Sequence, residues 1–100
     1  MFVVVLTYIV PLAEIDRALP AHNEWLTKQY EDGHFLASGG QKPRTGGVLI
    51  TRPMERARLD AILATDPFAI AQLATYEIIH FQPTRTSPEL NLVNELLDNN

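Results

Sequence analysis

The first apolar block, residues 2–9, reads Phe-Val-Val-Val-Leu-Thr-Tyr-Ile with almost no polar alternation, the pattern of a strand covered on both faces. Pro11 ends it, and residues 12–19 predict one irregular helical turn before Pro20. A main helix is expected from Pro20 to about Asp32, closed by Gly33 in the left-handed cap conformation. On it His22, Leu26 and Tyr30 share a face that Trp25 flanks. Residues 34–38 predict a second strand leading into Gly39-Gly40, residues 41–47 a polar Gly- and Pro-rich connection, and residues 47–52 a third strand. Residues 54–64 alternate apolar and charged positions at helical spacing.

Asp66-Pro67 reads as a further helix start, since a carboxylate accepts from the free amides of a first turn and proline there loses no needed donor. About two turns later the residues become β-prone, and Ala74–Phe81 predicts a fourth strand. Strand, helix, strand, strand, helix, strand has a compact solution in two split β-α-β units with right-handed crossovers. This is the ferredoxin-like α+β arrangement, a four-stranded antiparallel sheet with the helices on one face. Residues 1–82 form this domain and residues 83–100 a tail, in which Ser87 is expected to cap a helix carrying a stripe of Leu90, Val93, Leu96 and Leu97. A sheet with helices on one face leaves the other open, so the continuously apolar first strand predicts a homodimer.

Composition changes this picture little but removes several functions. One hundred residues suit a single domain with a modest core, and 46% hydrophobic with 20% charged residues is ordinary for a folded chain. A net charge of −4 with eight scattered Lys and Arg residues argues against nucleic acid and against a polybasic membrane signal. The absence of cysteine excludes disulfides and thiolate chemistry, which leaves the cytoplasm as the expected compartment. The opening apolar run is far shorter than the roughly 20 residues of a membrane span.

No phosphate loop, GxSxG, HExxH or EF-hand spacing occurs. His22, placed in the first turn of a helix, would be kept neutral by the positive helix end and so available as a base. Asp66 is accounted for as a cap on local grounds alone. His22, His34 and Asp66 do not have a spacing that demands a metal, and His34 and His80 fall in predicted strands as packing residues. The Gly39-Gly40 pair suits turn geometry or the close approach of a ligand.

Three stretches, Pro20-Ala21-His22-Asn23-Glu24-Trp25-Leu26, Gly33-His34-Phe35-Leu36-Ala37-Ser38-Gly39 and Ala64-Thr65-Asp66-Pro67-Phe68, together resemble the YciI-like (YCII-related) family. Where many members follow Ser-Gly with Pro, this chain has Gly40-Gln41. The resemblance implies ferredoxin-like dimers forming an α/β barrel, with a His and Asp pair in a pocket. The clearest enzymatic relatives of that family act on halogenated hydroxylated aromatic compounds by eliminating chloride. The resemblance assigns His22 and Asp66 to the pair, Ser38 and Gly39 to a small-residue wall, and Phe68 to the apolar residue after Asp-Pro; Tyr8 is expected to form an apolar wall with Phe68. The expectation is a cofactor- and metal-independent lyase or isomerase acting on a small molecule. The alternative is a non-catalytic dimer that binds a small ligand or serves as an accessory subunit.

Overall fold

A computed structural model describes residues 1–97. The elements run β1 (Phe2–Tyr8), α1 (Leu12–Glu31), β2 (Phe35–Gly40), β3 (Gly46–Thr51), α2 (Arg56–Leu63), α3 (Pro67–Ile70) and β4 (Ala74–His80). The sheet order is β2-β3-β1-β4 with every pair antiparallel. This is the ferredoxin-like α+β fold, its second crossover divided between α2 and α3.

The side-chain period of two decides what each strand buries. Phe2, Val4 and Leu6 of β1 enter the core with Leu49 of β3, against Ile15, Trp25, Leu59, Ile62 and Phe68 from the helices. Val3 and Val5 point the other way, opposite Ile50 and Val48 on one side and Ile79 and Glu77 on the other. Val3 and Val5 are only half-buried, so the expected double burial is complete on one face only. A bulge between Phe35 and Ala37 shifts the register of β2, which lets Phe35 join the core while Ala37 stays exposed.

The main helix is longer than the prolines suggest. Instead of an irregular turn and a start at Pro20, one helix of 20 residues begins at Leu12, and Pro20 lies inside it. Pro11 stands at the N-cap with φ −58° and ψ 148°, and its carbonyl accepts from the amides of Glu14 and Ile15 at 2.9 and 3.4 Å. A proline within a helix costs about 3 kcal/mol or more. Ile15 is fully buried and Ala18 and Leu19 pack on the core; at about 1.5–3 kcal/mol for a large aliphatic side chain, burial offsets that cost. The stripe Ile15, Ala18, His22, Trp25 and Gln29 runs straight through Pro20, and tertiary packing overrides the local break.

Gly39 and Gly40 also differ from expectation: they belong to β2 rather than to a turn, paired opposite Val48 and Gly47. The turn follows at residues 41–45. Gly46 has the clearest steric reason to be glycine, since a Cβ there would stand 1.7 Å from the Leu6 carbonyl oxygen.

The tail forms a six-residue 3₁₀ helix over Pro88–Val93 rather than an amphipathic α-helix, and Ser87 makes no side-chain capping bond. Val93 is buried, whereas Leu90, Leu96 and Leu97 are exposed. Within the tail the Glu95 amide donates to the Pro83 carbonyl at 2.8 Å, and the terminal ammonium of Met1, 3.8 Å from Glu95, links it to β1. The end of the tail, residues 98–100, lies outside the described residues.

Candidate functional site

Asp66 leaves α2 in an extended conformation and opens α3, where its Oδ1 accepts the Phe68 amide at 3.0 Å. The same Oδ1 accepts from His22 Nδ1 at 2.7 Å, and Oδ2 accepts from the Tyr76 hydroxyl at 2.6 Å. The carboxylate is thus a cap and the hub of a buried network. It is 0% exposed and His22 only 7%. A carboxylate offers only acceptors, so the bond fixes the proton of a neutral His22 on Nδ1 and leaves Nε2 as the free lone pair.

His22 lies in the interior of α1, as its eleventh residue, and not in a first turn. The helix-end argument for a neutral imidazole therefore does not apply, and Asp66 takes over as the group that governs the ring. The imidazole stacks on Phe68 with centroids 4.0 Å apart and planes at 4°. Tyr8 meets Phe68 edge-on at 6.0 Å. Trp25 donates its indole N–H to Thr65 Oγ1 at 2.8 Å, pinning α1 to the corner between α2 and α3.

The chain's exit from α3 is equally constrained. Gln72 takes φ 57°, so that its own amide reaches the Ala69 carbonyl and the Leu73 amide reaches Phe68, a helix end at which glycine is usual. That reversal starts β4 and brings Tyr76 back beneath Asp66. Burial first, and then the bond to Asp66, push the Tyr76 phenol far above its ordinary value, so it stays a neutral donor.

His22 opens on a cavity of about 530 Å³, whose lining includes Tyr8, Ser38, Gly39 and Phe68 together with Asn23, Lys42 and Arg44. The volume is that of a small-molecule site. The chain thus brings together all six expected residues, five on the wall and Asp66 behind His22. Ser38 is already engaged: its Oγ lies 2.6 Å from the Tyr30 hydroxyl.

The model of the YCII-related domain matches residues 1–82. This chain belongs to the YCII-related family. Among solved structures it is similar to the 5-chloro-2-hydroxyhydroquinone dehydrochlorinase of Burkholderia phenoliruptrix AC1100 in complex with 2,5-dihydroxybenzoquinone. That likeness has a TM-score of 0.65 and 19% identity, over 82% of this chain and 94% of the other. It is also similar to an antibiotic biosynthesis monooxygenase, with TM-score 0.55 and 24% identity over 83% and 100% of the two chains. At these identities the shared property is the fold. No curated protein matches the chain.

Within this YCII-related domain the other histidines stand apart from the cavity. His34 precedes β2 rather than lying in it; its Nδ1 is 2.7 Å from Gln29 Oε1 and its Nε2 is 3.0 Å from Arg58. His80 stacks on Phe2 at 4.2 Å. Among the described residues no group of three His, Cys, Asp or Glu could hold a metal ion, and no helix is long and apolar enough to cross a membrane. Sequence reasoning missed Tyr76 and the cations Lys42 and Arg44. The alternation of β4 could have placed Tyr76 on the helix side with Ala74 and Ile78; nothing local marks Arg44.

Proposed function

We propose that this YCII-related protein is a small-molecule enzyme of the lyase or isomerase type, in which His22 and Asp66 act as a general acid–base pair. The observation that carries the proposal is the 2.7 Å bond between His22 Nδ1 and the buried Asp66 carboxylate, on a histidine that lines the cavity. His22 Nε2 takes a proton from an enol- or phenol-type substrate, and the carboxylate steadies the imidazolium that forms. The electron pair left on the substrate either relocates, so that His22 returns the proton to another atom, or expels a leaving group. A structural neighbour that is a dehydrochlorinase supports the second course. The scheme uses no metal or organic cofactor.

Tyr8 and Phe68 are the apolar walls in this reading, and Ser38 with the Gly39 backbone binds a polar substrate group. The working unit is a homodimer: Val3, Val5, Val48 and Ile50, half-buried, and the exposed Ile79 make an aliphatic sheet face turned away from the helices, and a second sheet is its natural cover.

The test is a screen of phenolic and enol-type compounds with the native chain beside His22→Ala and Asp66→Asn. Each variant is expected to lose about 10²–10⁴-fold in turnover. Equal rates in all three would sink the pair. A second reading, a ligand-binding dimer without turnover, is favoured by the structural duties of Asp66, which caps α3 and anchors Tyr76 whether or not chemistry occurs. It predicts saturable binding of a compound that no form of the protein converts.

A further inference from the structure

The cavity is charged in one sense. The whole chain has twelve acidic and eight basic side chains, yet Lys42 and Arg44 line this hollow and no Asp or Glu does. The two cations are exposed while His22 is buried, so the charge stands at the mouth and the imidazole at the inner end. Leu19, Leu26 and Phe68 give the wall between them an apolar character.

Arg44 is held in position but not committed. Its loop is laid onto β1 by the Tyr8 amide donating to the Thr45 carbonyl at 2.9 Å, and closed by the Gln41 amide on Gly46 at 2.9 Å. One Nη of its guanidinium donates to Asp16 on α1. The Arg44 and Asp16 side chains are 43% and 56% exposed, and an ion pair so open to water contributes little. A guanidinium has five N–H donors in a flat fork that matches a carboxylate, so a ligand carboxylate can take Arg44 from Asp16 at small cost.

We propose that the substrate is an organic anion, a ring or enol whose reacting end meets His22 and whose carboxylate is held at the mouth by Arg44 beside Lys42, displacing Asp16. This names a substrate class for the site described under Proposed function and rests on that reading.

Two probes that differ by one group test it: 2,5-dihydroxybenzoate, and hydroquinone, which has the same two hydroxyls and no carboxylate. Binding is followed by calorimetry and by the ¹⁵N resonances of the His22 ring. The benzoate is expected to bind about tenfold tighter or better. Arg44→Gln removes that preference and leaves hydroquinone unchanged, while Asp16→Asn, which removes the competitor, tightens the benzoate alone. Equal affinity for the two probes with both shifting His22, or an Arg44→Gln variant that weakens both alike, overturns the anion proposal and leaves the His22 site standing. If neither probe moves the His22 resonances, both readings fall.

Discussion

Asp66 and Asp16 each hold a basic side chain at opposite ends of one cavity, under opposite conditions. Asp66 is fully buried and receives donors from His22, Tyr76 and the Phe68 amide. Asp16 is exposed and receives Arg44, whose charge holds the Asp16 carboxyl below the usual range chiefly through that bond. Removing a buried acceptor orphans every donor aimed at it, whereas water can replace an exposed one. The site therefore has a fixed inner end, suited to positioning a proton, and an exchangeable outer end, suited to admitting and holding a ligand.

The sharpest way to break this contrast is Asp66→Ala, expected to cost about 3–5 kcal/mol in denaturant unfolding because it leaves the buried imidazole and phenol without their partner. Tyr76→Phe should cost about 1–3 kcal/mol, the usual penalty for an orphaned buried acceptor. It should also change the alkaline limb of the stability profile. The Tyr76 pKa is raised on folding, so its contribution is whole below the unfolded value of about 10 and declines as pH climbs beyond it. Denaturation midpoints measured upward from pH 8 should fall less steeply above that value in Tyr76→Phe than in the native chain. Gln72→Gly should raise stability by about 1 kcal/mol, since glycine accepts the left-handed conformation freely. Asp16→Asn should leave the melting temperature unchanged. If it instead destabilised the chain as much as Tyr76→Phe, the outer pair would be structural and the contrast would collapse.

The sheet was legible because β1, β3 and β4 are short runs rich in β-branched residues, β2 lies between Gly33 and the polar Gly- and Pro-rich connection, and a split β-α-β order has few solutions. Asp66 was legible as a cap from Asp-Pro alone. The beginning of α1 was not, because Pro20 is a strong local signal and Ile15 outweighs it only once a sheet exists to bury it. His22 and Asp66 were paired by resemblance, and the geometry adds what a linear pattern lacks: the bond, the shared acceptor and the third donor. Tyr76 and Arg44 reach the site through chain reversals, at Gln72 and in the β2–β3 loop, whose direction depends on contacts far away in sequence.

Pro20 has one consequence for motion. Lacking an amide proton, it leaves the Asp16 carbonyl, four residues back, without its helical donor, so the hydrogen-bond ladder is interrupted between the turn that carries Asp16 and the turn that carries His22. Mechanically α1 is two levers joined at a weakened rung. Amides ahead of Pro20 should exchange with deuterated solvent sooner than those of residues 24–29, which would let the rim of the cavity breathe while the imidazole keeps its place.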